Sequence, residues 1–294
     1  MAINFKSVTW HVINKEIKHL NQKSNTRNYQ ALQCYRNSQE DESYEETISL
    51  ELIGEEPFLI RIDEKPYSVI MRTSGEEIFH AAGFCLGEGI ADSVNDFKTI
   101  GYDKNLEPNT IDIWLTSERK AKITDLLKRK IFVSQTSCGI CGKEMVKDIY
   151  QTITSAKDDF NVEIRDVFNC IKRLSENQKF YQTTRGSHAA IIFDNFLNMI
   201  AFSEDVGRHN SLDKAIGKAF MDGKLSDAKI LVLSSRLSYE LVQKAARAHI
   251  PVMISHSRPT ALAVDMGKRL NMTLAFPGNK SELIIVCGKE RIIR

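Results

Sequence analysis

The 294-residue chain contains no long uncharged hydrophobic run. A helix that crosses a bilayer needs about 20 mostly apolar residues, so we expect no membrane span. The first residues also lack the basic-then-apolar pattern of a secretory signal. Neither sign of charge dominates, because the chain contains 40 Lys and Arg residues and 38 Asp and Glu residues, which gives a formal net charge of +2. This balance gives no electrostatic reason to expect a nucleic-acid partner, and we predict a cytoplasmic protein.

Several familiar catalytic motifs are missing as well. The chain has no Gly-x-Ser-x-Gly nucleophile elbow, no Walker phosphate loop and no Gly-x-Gly-x-x-Gly fingerprint. These absences disfavour an α/β-hydrolase, a P-loop NTPase and a Rossmann dinucleotide-binding protein.

Cysteine is sparse, and one close pair stands out. The six cysteines are scattered, which indicates a reducing compartment and no disulfide framework. Cys138 and Cys141 are the exception, and each is followed by a glycine that permits a tight turn. Residues 143–150 have the apolar spacing of a helix. A helix N-terminus and Lys143 both favour the thiolate over the thiol, so this pair is the candidate nucleophile.

Three other interpretations of the pair fit the sequence less well. A structural zinc site needs four ligands, but the remaining cysteines stand alone and no histidine is close in sequence, so we expect no metal. A thioredoxin-like disulfide site would lie at a strand-to-helix junction early in a βαβ unit, whereas this pair follows a polar turn in mid-chain. Simple packing in the core is disfavoured because glycine-flanked polar loops do not form cores. A mobile nucleophilic loop at residues 138–142 is the leading hypothesis.

The hydrophobic pattern divides the chain. Residues 1–45 are polar, with neither glycine nor proline, and are predicted to be an N-terminal arm. Residues 46–137, together with the C-terminal strands, are predicted to form a smaller α+β domain. In residues 143–294 apolar strands alternate with amphipathic helices, which predicts an α/β fold whose sheet is covered on both faces.

Polar clusters that contain arginine fall at the predicted strand ends, where α/β sheets bind ligands. Arginine and small hydroxyl groups suit phosphate, and three of the clusters are predicted to open helices whose N–H groups could face an anion. Each cluster alone is typical of a helix cap; together they predict a ligand that bears phosphate. We interpret His188 and His209 as capping or ligand-orienting residues, not as catalytic bases. The candidate ligand-binding residues in the clusters are Thr184, Arg185, Gly186, His188, Asp205, Arg208, His209, Ser235, Arg236, Ser257 and Thr260.

These motifs resemble one family. The chain is similar to the formate dehydrogenase accessory sulfurtransferase family, FdhD, over roughly residues 46 to 290. The matching segments are residues 137–142, 184–190, 204–214, 234–241 and 257–260.

The resemblance implies a fold and a function. It implies a larger domain that is a cytidine-deaminase-like three-layer αβα sandwich, a smaller α+β domain, and a homodimer. It implies a sulfurtransferase that takes persulfide sulfur from a cysteine desulfurase and passes it to the molybdenum cofactor, a bis-molybdopterin guanine dinucleotide, for which a guanine nucleotide would be a mimic. Formate dehydrogenase would then receive the sulfurated cofactor. The zinc-ligand pattern of the deaminases is absent, so that relationship concerns the fold alone.

Residue roles follow from the same resemblance. Cys138 matches the persulfide-bearing cysteine, and Cys141 matches a second, assisting cysteine. This chain departs from the family pattern at two places. Relatives usually carry arginines in the loop at residues 276–281, whereas this chain has none there. Arg185 stands at a position where relatives more commonly have glycine. A CxxC dithiol oxidoreductase and a non-catalytic cofactor chaperone stay open as alternatives. The later loop, implied to contact the cofactor, is Phe276, Pro277, Gly278, Asn279, Lys280 and Ser281.

Overall fold

The computed structural model describes residues 2–4, 25–37, 42–102, 109–124, 153, 155–156, 160–279 and 281–294. Within this part of the chain, strands alternate with helices between residues 199 and 277. The strands are β1 Ala2–Asn4, β2 Thr26–Asn37, β3 Glu42–Ile53, β4 Glu56–Ile62, β5 Lys65–Arg72, β6 Phe97–Gly101, β7 Thr110–Leu115, β8 Val162–Glu163, β9 His188–Phe193, β10 Met199–Asp205, β11 Ile230–Arg236, β12 Val252–Ser257, β13 Thr273–Pro277, β14 Leu283–Cys287 and β15 Ile292–Ile293. The α-helices are α1 Glu77–Gly87, α2 Ser117–Lys122, α3 Ile164–Asn177, α4 Lys179–Thr184, α5 Arg208–Met221, α6 Tyr239–Arg247 and α7 Ala261–Arg269.

Two larger sheets organise these elements. The five-stranded sheet has the order β1-β6-β7-β4-β5, and the six-stranded sheet has the order β10-β9-β11-β12-β13-β14. Strands β11, β12 and β13 run parallel, and β9, β10 and β14 complete the second sheet through antiparallel pairs. The chain is therefore a mixed α/β protein, as predicted.

The six-stranded sheet is buried on both faces, which confirms that prediction. Along β11 the side chains alternate: Leu231 belongs to one hydrophobic cluster, and Val232 belongs to the other. Helix α3 covers one face through Val167, Cys170 and Leu174, which recur at helical spacing. Helices α5, α6 and α7 cover the opposite face. The likeness of this layered arrangement to cytidine deaminases stays a prediction.

Helices α1 and α5 connect the two sheets through a close backbone contact. A Cβ added to Gly83 would lie 1.9 Å from the carbonyl oxygen of Asp213, and one added to Gly217 would lie 1.8 Å from that of Phe79. Only glycine permits this approach. As a result, residues of both sheets pack into one continuous hydrophobic cluster.

The sequence patterns missed some of the strand pairing. Strand β2 begins inside the segment predicted to be a polar arm, and its twelve residues pair with β3 in an antiparallel hairpin. The C-terminal strands were expected with the smaller domain, but β13 and β14 lie in the six-stranded sheet and β15 pairs with β8. The reason is that β13 pairs in parallel with β12, and no local pattern specifies such a partner. Within the described residues, no helix is long and apolar enough to cross a membrane.

Candidate functional site

The strand register brings the polar clusters to one edge of the six-stranded sheet. His188 at the start of β9 is paired with Asp205 at the end of β10. Arg236 at the end of β11 is paired with Ser257 at the end of β12, and β13 ends at Pro277 against the start of β14. These residues come from five segments of the chain, and the strand register brings them to one edge of the sheet.

Exposed or half-buried arginines are the main charged groups contributed by the clusters. We call this side of the sheet the arginine edge, defined by Arg185, Arg208, Arg236 and Arg258. Within the described part of the chain, none of the four forms an ion pair with a carboxylate. The Nε of Arg208 is buried and has no hydrogen-bond partner there. Guanidinium groups that lack acidic partners leave a positive potential at this edge.

The Arg185 backbone is unusual. Arg185 caps the C-terminus of α4 with φ 55° and ψ 10°, the left-handed conformation that glycine prefers. Its guanidinium lies over the ring of Tyr181, 5.3 Å from the ring centroid. At Gly186 an added Cβ would lie 3.0 Å from Cγ2 of Ile53, so the turn also packs against the end of β3.

Histidines at the arginine edge are held in the neutral form. Burial and the nearby Arg208 lower the pKa of His188, whose Nδ1 lies 3.5 Å from Oγ of Ser234. Burial and then Lys244 lower the pKa of His209 to about 4. Burial lowers the pKa of His256 as well. At neutral pH these rings therefore offer hydrogen bonds without charge.

Two of these rings have a buried nitrogen without a hydrogen bond. The Nε2 of His209 is 4.0 Å from a carboxylate oxygen of Glu240, beyond hydrogen-bond distance. The Nε2 of His256 is also buried and unbonded among the described residues. Buried polar atoms normally have partners, and the described residues supply none to these two nitrogens.

The Asp205 carboxylate is held by four hydrogen bonds inside the protein. It is fully buried, and its Oδ2 accepts hydrogen bonds from the Thr73 N–H at 3.1 Å and from Nζ of Lys214 at 2.6 Å. Its Oδ1 accepts from the Gly207 N–H at 2.9 Å and from Nδ2 of Asn210 at 2.8 Å. Asp205 therefore fixes the turn that begins α5, because its carboxylate is bonded to Thr73, Gly207, Asn210 and Lys214.

The hydroxyl groups of the clusters mostly serve the local backbone. Thr260 caps α7 by accepting from the Ala263 N–H at 3.3 Å. Thr184 donates to the Phe180 carbonyl at 2.6 Å, and Ser235 donates to the Arg236 carbonyl at 3.1 Å. The expectation that Ser235 and Arg236 open a helix was wrong, because both belong to β11.

The loop after β13 also lies at the arginine edge. Phe276 and Pro277 end β13, and the N–H of Gly278 donates to the Glu282 carbonyl at 2.7 Å. Asn279 is exposed, and Ser281 is exposed with φ 68°. Lys280 lies outside the described residues.

Cys138 and Cys141 also lie outside the described residues, as does the predicted loop at 138–142. The chain on their C-terminal side is anchored at the opposite edge of the sheet, where the Ala156 N–H donates to the carbonyl of Leu270 at 2.9 Å.

Sequence reasoning missed two side chains that shape this edge. Tyr181 lies under the guanidinium of Arg185. The carboxylate of Glu204 accepts hydrogen bonds from both ends of the segment that contains Arg185. Glu204 stands beside Asp205 in the sequence, but nothing local indicates which donors it meets.

Comparison with known proteins identifies relatives over most of the chain. A model of the FdhD/NarQ family matches residues 53–293. A protein of Streptomyces avermitilis named sulfur carrier protein FdhD is 32% identical over 251 residues, covering 82% of this chain and 88% of the relative. The protein of the same name from Mycolicibacterium paratuberculosis is 35% identical over 251 residues, covering 82% and 91%.

A solved structure supports the fold. The crystal structure of a candidate formate dehydrogenase accessory protein from Desulfotalea psychrophila aligns with a TM-score of 0.69. The alignment covers 90% of this chain and 99% of that chain at 18% sequence identity. At this identity the comparison supports a shared fold and nothing more specific.

Proposed function

Because the chain belongs to the FdhD/NarQ family, we propose that it is a sulfur carrier with sulfurtransferase activity. In this proposal Cys138 carries a persulfide received from a cysteine desulfurase. The sulfur acceptor is the molybdenum cofactor, a bis-molybdopterin guanine dinucleotide, which is the substrate and not a resident group. Formate dehydrogenase then receives the sulfurated cofactor.

One observation supports the substrate class: the arginine edge gathers Arg185, Arg208, Arg236 and Arg258 without acidic partners among the described residues. Arginine binds phosphate through two parallel hydrogen bonds, and a guanine dinucleotide carries pyrophosphate. Helix α5 begins at the same edge, and its N-terminus adds positive potential. The buried Nε of Arg208, which has no hydrogen-bond partner among the described residues, is a further donor for such a ligand.

The first transfer needs only the thiolate. The sulfur of Cys138 attacks the outer sulfur of the donor persulfide, an S–S bond forms on Cys138, and the donor cysteine leaves as its thiolate. No net oxidation or reduction occurs in this exchange. A lowered thiol pKa increases the fraction of the attacking form.

The second step requires electrons, which the cysteine pair can supply. The thiolate of Cys141 attacks the inner sulfur of the Cys138 persulfide, and a Cys138–Cys141 disulfide forms while hydrosulfide leaves. The two thiols lose two electrons, and the outer sulfur gains them as it becomes sulfide. A cellular thiol must then reduce the disulfide. The arginine edge would hold the acceptor close to the released sulfide.

Mass spectrometry tests the relay. After incubation with a cysteine desulfurase and cysteine, the intact chain should gain one sulfur atom that dithiothreitol removes. The variant C138A should not gain it at this site, whereas C34A should behave as the unaltered chain because Cys34 is an exposed free cysteine elsewhere. A C138A variant that still sulfurates the cofactor at the original rate would contradict the proposal.

A redox titration of the unaltered chain and the double variant C138A/C141A separate the two alternatives. A dithiol oxidoreductase would cycle between the reduced pair and the Cys138–Cys141 disulfide with no need for a desulfurase. A cofactor chaperone would bind guanosine diphosphate and support formate dehydrogenase even when both cysteines are replaced by alanine. The homodimer stays a prediction, for which sedimentation equilibrium is the measurement.

A further inference from the structure

A buried carboxylate holds the turn that carries Arg185. Glu204 lies on β10 and is only 8% exposed. Its Oε2 accepts from the Phe180 N–H at 2.9 Å, and its Oε1 accepts from the Tyr181 N–H at 3.0 Å and from Oγ of Ser187 at 2.8 Å. No lysine, arginine or histidine of the described residues forms an ion pair with it. Among the described residues, the Glu204 carboxylate is therefore stabilised by these neutral donors.

The donors lie on both sides of Arg185. Phe180 and Tyr181 belong to the first turn of α4, where a carboxylate is favoured by the helix dipole. Ser187 follows the C-terminus of the same helix and immediately precedes β9. Glu204 therefore closes residues 180–187 into a loop, and Arg185 lies within that loop.

This loop sets the position of two candidate ligand-binding groups. The ring of Tyr181, which lies under the Arg185 guanidinium, is fixed through its own N–H. His188 follows Ser187 directly and pairs with Asp205, the neighbour of Glu204. A carboxylate that ties Tyr181 to Ser187 thereby limits how far Arg185 and His188 can move apart.

We propose that Glu204 is a positioning residue that presets Arg185 to bind a phosphate group of the ligand. This inference rests on the proposed function, because it assigns a role within the same site. Glu204 is buried, and its carboxylate accepts from Phe180, Tyr181 and Ser187, so the role assigned to it acts through the position of Arg185.

A double-mutant cycle tests this role. The chain would be titrated calorimetrically with guanosine diphosphate and with guanosine, using E204Q, R185A and the double variant E204Q/R185A. We expect E204Q to weaken diphosphate binding about tenfold, which is the scale of one weakened charge-assisted hydrogen bond. Guanosine binding should change little. In the R185A background E204Q should cause less than a twofold further loss, because the two residues act as a unit.

Two further variants distinguish a specific effect on the position of Arg185 from a general loss of structure. D194N weakens a carboxylate that holds the turn at the far end of the same strand pair, where Asp194 accepts from the N–H groups of Phe196 and Asn198 at 2.8 Å each. It should leave diphosphate binding unchanged. S187A removes one of the three Glu204 bonds and should weaken diphosphate binding in the same direction as E204Q, even if E204Q does not fold.

The outcomes distinguish this inference from the proposed function. If the unaltered chain binds guanosine diphosphate and both E204Q and S187A bind it equally well, the positioning role is overturned and the proposed function stands. The positioning role is also overturned if E204Q weakens guanosine diphosphate binding equally in the presence and in the absence of the Arg185 side chain. If the unaltered chain does not bind guanosine diphosphate, the proposed ligand and this inference fail together.

Discussion

The Nζ of Lys214 lies 2.6 Å from Oδ2 of Asp205, and both side chains are buried. The same ammonium donates to the carbonyl of Thr73 at 2.8 Å. The pair therefore joins helix α5 and strand β10 to the segment that precedes α1. An ion pair in such a place is sensitive to the loss of one partner, since the remaining charge stays buried without compensation.

Replacing Lys214 by methionine should destabilise the chain strongly. We expect the free energy of unfolding to fall by about 3 kcal/mol or more, because Asp205 keeps its charge but loses its cation. Urea denaturation followed by circular dichroism measures the effect. As a control, K172M breaks the exposed Lys172–Glu176 pair and should cost less than about 0.5 kcal/mol. Similar losses for both variants would contradict the prediction.

Replacing Gly217 by alanine should disrupt the contact between α1 and α5. The new methyl group would lie 1.8 Å from the carbonyl oxygen of Phe79, so the helices must separate. Overpacking usually costs about 1–3 kcal/mol, and a collision with backbone should reach the upper end. Differential scanning calorimetry would show a lowered Tm, whereas D222A, at an exposed position just after the same helix, should leave the Tm nearly unchanged. A normal Tm for G217A would refute the close contact.

Acid should destabilise the chain through its buried histidines. His80 is fully buried, its ring stacks on Phe58 with centroids 5.2 Å apart, and neither ring nitrogen has a hydrogen-bond partner among the described residues. Burial, and then the cations Lys214, Lys244 and Arg72, lower the pKa of His80. The unfolded chain therefore takes up a proton below about pH 6.5 while the folded chain does not. Each such group lowers the free energy of unfolding by up to about 1.4 kcal/mol per pH unit in that range.

The variant H80F isolates this effect. Phenylalanine keeps the stacked ring and needs no hydrogen bond, so H80F should be at least as stable as the original chain at pH 7 and more stable at pH 5. Urea titrations between pH 5 and pH 7 give the slope of the free energy of unfolding against pH for H80F and for the unaltered chain. The exposed His249 provides the control H249F, which should retain the steep slope. Parallel slopes for H80F and the unaltered chain would exclude His80 as a source of acid sensitivity.

Replacing Arg185 by glycine should separate stability from binding. The left-handed backbone conformation destabilises a residue that has a Cβ by about 1 kcal/mol, and glycine avoids this cost. The Tm of R185G should therefore equal or exceed that of the unaltered chain. Loss of the guanidinium should weaken guanosine diphosphate binding about tenfold, equivalent to ~1.4 kcal/mol. R185K keeps a charge but not the planar fork, and intermediate affinity is expected. If R185G had a lower Tm and an unchanged affinity for guanosine diphosphate, Arg185 would be a structural residue and not a ligand-binding one.

Local patterns predicted much of the fold correctly. The apolar runs of β11 and β12 are buried on both faces, and the spacing of Val167, Cys170 and Leu174 forms the buried stripe of α3. Such patterns follow from the side-chain periods of strands and helices. They did not reveal β2, because its strand is mostly exposed and has no apolar period to detect.

The candidate site was predicted in its parts but not in its arrangement. The arginines and histidines were visible as clusters, yet Asp205 and Glu204 could not be separated by role, although they are adjacent. Successive residues of a strand point to opposite faces, so Asp205 meets Lys214 of α5 while Glu204 meets the first turn of α4. Only knowledge of which helix covers each face distinguishes them.

By itself the amino-acid sequence determined the spacing of Cys138 and Cys141, the two-faced burial of the central strands and the presence of arginine where strands end. Those features are encoded within a few residues of one another. The tertiary structure alone decided that five separate segments meet at one edge, that Gly83 and Gly217 bring two helices into contact, and that Glu204 closes the loop around Arg185. Strand order and register are set by packing between residues far apart in the chain, and no local pattern contains that information.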